Sequence, residues 1–180
     1  EMAGILDEKR RRLVFFGGDD GFPQNCNPAP NPIGELWTYD VACNAFEQVA
    51  ALNEPGPRAR AMAAYDAAGD RMLTFGGRYR EGSSGAYTVY DEVWALDLSA
   101  LTWSAIAATG AGPKARSNAA GAVNPLTNEL VFFGGNTSTN GASFSPQSDV
   151  WAIDLATNAW RQVTTSGVEP SPRLFHAATI

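Results

Sequence analysis

An internal repeat of about 57 residues is the feature that most limits how this chain can fold. Each of three units carries a glycine pair, a tryptophan and a second aromatic residue: Gly17-Gly18, Trp37 and Phe46; Gly76-Gly77, Trp94 and Trp103; Gly134-Gly135, Trp151 and Trp160. The tryptophans are spaced 57 and 57 residues apart, and so are the second aromatics. A further marker, an arginine ahead of each later unit, falls at Arg60, Arg116 and Arg173. Self-similarity at a fixed period indicates a repeat architecture.

Each unit is predicted to form four short strands. The first is rich in alanine (Ala61–Tyr65, Ser117–Val123), the second is an apolar run that ends at the glycine pair, and the last two carry the aromatic markers. Turn residues such as Asp97 and Asp154 separate the strands. No segment sustains a 3.6-residue period, so no helix is predicted.

The residue sizes within a unit indicate sheets arranged around an axis. Alanines stand in the first strand, where space is tight, and tryptophans in the third and fourth, where space is wide. Sheets that radiate from a hub taper in this way. We interpret the glycine pair as a packing requirement, namely a point where an aromatic ring lies so close to the backbone that a Cβ would collide with it.

A diglycine after an apolar strand, followed by a tryptophan and by a second aromatic nine residues later, resembles the kelch repeat. The resemblance covers essentially all of the chain and implies an all-β fold, a kelch-type β-propeller with four-stranded antiparallel blades. Two departures are visible: Phe46 replaces the usual second tryptophan, and Ala63 and Ala119 stand where His176 keeps a histidine common in the family.

The predicted blades span about residues 2–49, 60–106 and 116–163, and residues 173–180 are predicted to be the first strand of a further blade. Propellers close with roughly four to eight blades. The chain is therefore interpreted as part, about half, of a six- or seven-bladed ring. The remaining blades come either from a longer chain or from a second copy in a homodimer, and a chain that stops in mid-strand favours the longer chain.

Composition narrows the class of partner. The chain has 180 residues, 44% of them hydrophobic, and a net charge of −6. An acidic balance disfavours nucleic acid and anionic membranes, and no apolar run is long enough to insert into a bilayer. The sequence does not determine the cellular compartment of the protein. Two lysines against eleven arginines are typical of a GC-rich bacterial gene, for which a secreted or cell-surface location is one option.

Ligand binding is predicted at the face that carries the long loops between second and third strands. Long, dissimilar loops on a repeated scaffold are where binding usually occurs. The candidate residues are the arginines Arg60, Arg116 and Arg173, as a cationic ring for a carboxylate or an acidic peptide, and the loop aromatics Tyr79, Tyr87 and Phe144. The alternative is that each arginine pairs with an acid such as Glu35, Glu92 or Asp149, and that the aromatics only pack their own loops.

No catalytic constellation, metal site or cofactor is predicted. The chain has a single histidine, His176, and no nucleophile-elbow or phosphate-binding glycine motif. The oxygen-bearing residues Asp19, Asp20, Asn25 and Asn27 lack the spacing of a dedicated calcium loop. Cys26 and Cys43 are predicted to lie at opposite ends of a strand, which disfavours a disulfide between them.

Two function classes remain. The preferred one is a binding module that presents long loops to a protein or a carbohydrate. The alternative is part of a kelch-superfamily enzyme, such as a sugar epimerase or a galactose oxidase-like protein, with its active residues in blades outside this chain.

Overall fold

The computed structural model describes residues 1–21 and 30–179. The described residues form an all-β structure of fourteen strands without a helix: β1(Ala3–Asp7), β2(Arg12–Asp19), β3(Pro32–Asp40), β4(Ala45–Val49), β5(Met62–Asp66), β6(Arg71–Phe75), β7(Arg78–Tyr79), β8(Thr88–Val89), β9(Val93–Asp97), β10(Thr102–Ile106), β11(Ala120–Asn124), β12(Glu129–Phe133), β13(Val150–Asp154) and β14(Trp160–Gln162). The prediction of an all-β chain with four short strands per unit is confirmed.

The strands form three four-stranded antiparallel blades. Their strand orders are β1-β2-β3-β4, β5-β6-β9-β10 and β11-β12-β13-β14, and β7 with β8 forms a separate two-stranded sheet in the loop of the second blade. The innermost strands lie beside one another, β1 next to β5 and β5 next to β11. They line the hub, as expected for a propeller. The small β7–β8 sheet was not predicted, because a two-residue strand leaves no periodic signal.

The blades pack face to face through two apolar clusters. One lies between the first and second blades and includes Phe16, Leu36 and Trp103. The other lies between the second and third blades and includes Phe75 and Phe132. The hydrophobic core of the chain therefore lies between the sheets, and each blade depends on its neighbour to bury its apolar faces.

In the second and third blades, the second aromatic of the repeat packs onto the preceding blade. The Trp103 ring lies 4.8 Å from the Phe16 ring, and the Trp160 ring lies 5.7 Å from the Phe75 ring. Phe46, in the first blade, has no preceding blade in this chain; it is 67% exposed and contacts Tyr39. Whether a longer chain or a second copy supplies the adjoining blades stays a prediction.

The glycine pairs mark the junctions between blades. The second glycine of each pair donates a backbone hydrogen bond to the carbonyl of an arginine in the segment that leads into the next blade: Gly18 to Arg58, Gly77 to Arg116 and Gly135 to Arg173, all at 3.0 Å. A Cβ on the first glycine would collide with that same carbonyl, at 2.7 Å for Gly134 and closer for the other two. The reason proposed from the sequence was therefore wrong: the close neighbour is the next blade's backbone and not an aromatic ring.

The trailing segment differs from its prediction. Arg173 forms an isolated bridge with Gln147, but residues 174–179 are not in a strand. His176 contacts the end of the third blade, where its Nε2 lies 3.2 Å from the Phe133 carbonyl oxygen. A first strand needs a second strand beside it for its ladder of hydrogen bonds, and within the described part of the chain residues 174–179 have none.

The first test concerns the glycine at the second junction. Gly76→Ala should lower the free energy of unfolding by about 3 kcal/mol or more, because the left-handed backbone and the collision with the Arg116 carbonyl both disfavour a Cβ. Gly82→Ala is the matched control, since Gly82 has nearly the same φ (72° against 70°) with nothing within 4 Å of its Cβ position. Urea denaturation of both variants should separate collision from backbone strain, and equal losses would contradict the steric explanation.

The second test uses the aromatic position shared by two blades. Trp103→Ala should cost about 3–5 kcal/mol of unfolding free energy, because Trp103 is 1% exposed and fills the space between the first two blades. Phe46→Ala, at the equivalent exposed position, should cost less than about 1 kcal/mol. Comparable shifts in the midpoint of thermal unfolding would show that this position does not act through packing between blades.

Candidate functional site

The loop-bearing end of the blades is the candidate functional face. The connections between β2 and β3, between β6 and β9 and between β12 and β13 emerge there, together with the segments that join one blade to the next. The loops of the second and third blades contact each other, since Tyr87 donates a backbone hydrogen bond of 2.8 Å to the Thr139 carbonyl. These two loops therefore form one continuous surface beside the hub.

Four residues in equivalent positions surround the mouth of the hub. Glu1, Arg60, Asn118 and Phe175 each stand two residues before an innermost strand or its counterpart. The Arg60 N–H donates to the Glu1 carbonyl at 2.8 Å, and the Asn118 N–H donates to the Arg60 carbonyl at 2.9 Å. With His176 and their neighbours they line a cleft of about 240 Å³. A chain of backbone hydrogen bonds thus holds this cleft in shape.

The structure corrects which arginines occupy equivalent positions in the three predicted repeats. The equivalent of Arg116 and Arg173 in the second blade is Arg58 and not Arg60, because Arg58 makes the same hydrogen bond to the preceding glycine pair. The same shift places Ala61, and not Ala63, at the position of Ala119 and His176. The spacing of 56 residues between Arg60 and Arg116 was misleading for two reasons. The units differ in length by one or two residues, and Arg60 is a second arginine, two positions after Arg58.

The Arg116 side chain makes its hydrogen bonds to groups within its own blade. It is 1% exposed, and its guanidinium donates to both carboxylate oxygens of Asp149, at 2.6 and 3.0 Å, and to the Gly134 carbonyl at 3.0 Å. Asp149 also accepts a 2.7 Å hydrogen bond from the Trp151 indole. Burial raises the pKa of Asp149, but these donors outweigh it and hold the pKa below the usual range. Arg116 therefore does not point a free charge into the hub.

The same arrangement recurs in the second blade. The Arg58 guanidinium donates to Glu92 at 3.2 Å and to the Gly76 carbonyl at 3.3 Å, and Glu92 accepts from the Trp94 indole at 2.9 Å. Glu92 thus pairs with Arg58 and not with Arg60. In the first blade Glu35 accepts from the Trp37 indole at 2.7 Å. Arginine, acid and tryptophan together form a repeated structural unit at the top of the second and third blades, and the first blade shows its acid and tryptophan.

Arg173 and Arg60 are placed differently. Arg173 is exposed and donates to the Ser171 carbonyl at 3.0 Å. Arg60 lies at the hub mouth, where it forms an ion pair with Glu1, and its guanidinium carbon lies 5.2 Å from the centre of the Phe175 ring. The Nε of Arg60 is buried, and no described residue accepts a hydrogen bond from it. Of the three predicted arginines, Arg60 alone keeps an unsatisfied donor in the cleft.

Arg78 is a functional candidate that sequence reasoning missed. It is 6% exposed, and its guanidinium makes no hydrogen bond or ion pair with any described residue. The guanidinium carbon lies 4.0 Å from the centre of the Tyr87 ring, and Arg80 lies 4.3 Å from the same ring. Burial and the nearby Arg60 charge lower the pKa of Arg78. The signal in the sequence was its place directly after a glycine pair, where the other blades carry Asp19 and Asn136.

Of the three predicted loop aromatics, two belong to one cluster in the structure and the third does not. Tyr87 is buried against the two arginines, whereas Tyr79 is half-buried in β7. Phe144 is exposed and lies 6.1 Å from Phe175, ring centre to ring centre. The structure therefore brings Arg60, Tyr87 and Phe144 into one region of the loop face, joined through Arg78 and Phe175, and leaves Tyr79 outside that cluster.

Similarity to known proteins agrees with this geometry. A family model described as the KLHDC2/KLHL20/DRC7 Kelch-repeats domain matches residues 2–180. The chain belongs to the kelch-repeat family. It is a kelch-repeat domain, consistent with a protein-interaction module.

Relatives of this kelch domain come from several eukaryotes. Kelch domain-containing protein 1 of Homo sapiens is 30% identical over 184 residues, which cover 94% of this chain and 42% of that protein. Acyl-CoA-binding domain-containing protein 5 of Arabidopsis thaliana is 28% identical over 92% of this chain and 23% of its own length. Host cell factor 1 of Rattus norvegicus is 22% identical over 93% of this chain and 8% of its own length. This kelch domain thus spans less than half of these relatives. They give no support to the bacterial origin expected from arginine usage.

Residues 1–21 and 30–179 offer no group of three or more metal-binding side chains. The calcium candidate falls partly outside them, since Asn25 and Asn27 are not described, and Asp19 accepts backbone hydrogen bonds from Gly21 and Asn31. Cys43 is exposed, whereas Cys26 lies outside the described residues, so the disfavoured disulfide stays a prediction. In that same part of the chain, no helix has the length and apolar character to cross a membrane.

The repeated arginine–acid unit can be tested at Arg116. Arg116→Met should lower the unfolding free energy by about 3–5 kcal/mol, because it leaves the Asp149 carboxylate without its buried partner. Arg161→Met is the control: Arg161 also pairs with a carboxylate, that of the buried Glu129, but the Arg161 side chain is itself 54% exposed, so water can take its place and its loss should cost only about 1 kcal/mol. Urea denaturation of both variants measures the difference. A loss at Arg116 no greater than at Arg161 would contradict a structural role.

Proposed function

We propose that this kelch domain is a protein-interaction module whose loop face receives a carboxylate-bearing, acidic segment of a partner protein. The observation that carries the proposal is Arg78, a residue only 6% exposed that lies beside Arg60 and whose guanidinium has no carboxylate partner among the described residues. Charged groups this deeply buried are normally paired. A carboxylate from a partner supplies the missing counter-charge.

The electrostatic setting supports this choice of ligand. The chain carries a net charge of −6, yet Arg60, Arg78 and Arg80 gather at one mouth of the hub, and the one acid paired with them among the described residues is Glu1, on Arg60. A positive cluster in an otherwise acidic protein attracts anions selectively. The guanidinium forks match the geometry of a carboxylate, which accepts two parallel hydrogen bonds.

A protein ligand is favoured over a carbohydrate. Sugars bind to aromatic rings that offer an open face, but the face of Tyr87 is occupied by the guanidinium groups of Arg78 and Arg80. The enzyme alternative rests on residues outside this chain, and no side chain described above adds support to it.

The proposal is tested by binding of two labelled peptides. Fluorescence anisotropy should show a hexaglutamate peptide binding to the wild-type chain, and a hexaglutamine peptide binding at least about tenfold more weakly. Arg78→Met and Arg60→Met should each weaken hexaglutamate binding by about tenfold or more, because the methionine keeps the stem but removes the charge.

Arg11→Met is the matched control. Arg11 is exposed in the turn between β1 and β2, at the opposite end of the blades, so this variant changes the net charge equally without touching the hub mouth. If Arg11→Met weakens binding as much as Arg78→Met does, the attraction is one of net charge and the proposed site is wrong. Hexaglutamine binding equal to hexaglutamate binding has the same consequence.

A further inference from the structure

A pair of exposed phenylalanines lies next to the arginine cluster. Phe144 is 53% exposed and Phe175 is 61% exposed, and their rings meet edge to face, 6.1 Å between centres with 80° between planes. Leu126 and Val168 are also exposed, but neither is part of an aromatic pair. Exposed apolar residues that occur singly need no explanation, whereas adjoining ones at a candidate binding face indicate a contact surface.

The backbone of Phe175 supplies a second, independent observation. Its φ is 61°, in the left-handed region, as are those of its equivalents Arg60 (62°) and Asn118 (58°). Asparagine adopts this conformation at little cost, but a bulky aromatic residue is rare there. The left-handed conformation thus belongs to this position of the repeat, and Phe175 keeps an exposed aromatic side chain there although asparagine would fit with less strain.

The phenylalanine pair is continuous with the arginines. Phe175 lies in the cleft with Arg60 and receives its guanidinium over the ring, at 5.2 Å from carbon to centre. Phe144 comes from the loop of the third blade, which also contacts Tyr87 through the Thr139 carbonyl. Cationic and apolar surface thus meet at one place, supplied by three separate segments of the chain.

We infer that Phe144 and Phe175 form an apolar subsite that selects, among acidic segments of partner proteins, those with a large aliphatic or aromatic side chain next to the carboxylates. The inference rests on the proposed function, because the arginines provide the charge complementarity that identifies the partner as acidic. The carboxylates pair with Arg60 and Arg78, and the neighbouring apolar side chain covers the two rings. Burial of this contact in the complex removes apolar surface from water.

Two labelled peptides test the subsite: one with a leucine flanked by glutamates, and a matched one with alanine in place of the leucine. The wild-type chain should bind the leucine peptide about tenfold more tightly than the alanine peptide. Phe144→Ala and Phe175→Asn should each lower the ratio of the two affinities to about twofold or less. Phe175→Asn is chosen because asparagine suits the left-handed backbone, so the variant is expected to fold at least as well as wild type.

Leu126→Ala is the control, since Leu126 is 94% exposed in the turn between β11 and β12, away from the hub mouth. Equal losses for both peptides in the phenylalanine variants would show that the rings only support Arg60, and would overturn the subsite while the proposed function stands. A preference that survives in both variants would also overturn it. If neither peptide binds the wild-type chain, the proposed function fails and the subsite fails with it. Binding of the neutral sugar maltohexaose that is lost in Phe144→Ala would assign the rings to a carbohydrate instead.

Discussion

The junction between a glycine pair and the arginine of the next blade is the contact on which the rest of the structure depends. The backbone of that arginine belongs to the preceding blade, because its carbonyl accepts from the second glycine. Its side chain belongs to its own blade: Arg116 reaches the Gly134 carbonyl and the Asp149 carboxylate. One residue therefore joins two sheets by main-chain and side-chain hydrogen bonds at once. The collision that a Cβ would cause explains why glycine is required there.

This junction also determines where a binding site can lie. Two of the three junction arginines, Arg58 and Arg116, are paired with carboxylates of their own blades, so their charges are already neutralised within the domain. The binding residues proposed above lie just beyond the junction: Arg60, ion-paired with Glu1 at the hub mouth, and Arg78 after the second glycine pair, where each blade carries a different side chain. The repeated structural residues and these proposed binding residues are thus separated by only one or two positions along the chain.

Much of the fold could be predicted from residue type and spacing. The regular recurrence of Trp37, Trp94 and Trp151 indicated three equivalent units, and the apolar runs that stop at glycine indicated strands that end there. The site was predicted less well. Arg116 was selected for its spacing, but spacing does not distinguish an arginine that points into its own blade from one that faces the hub. Arg78 was missed because nothing in a single repeat shows that a charged residue is buried without a partner.

The architecture can be inferred from residue order, since the repeat period, the apolar runs and the placement of glycine are local properties that recur and reinforce one another. Which charges are paired follows only from the folded arrangement. Pairing depends on distances between residues such as Arg58 and Glu92, which lie 34 positions apart in the chain and are brought together only when the strands between them fold into a sheet. For the same reason Phe144 and Phe175 become neighbours only in three dimensions, because they belong to different segments whose meeting point is set by how the blades pack.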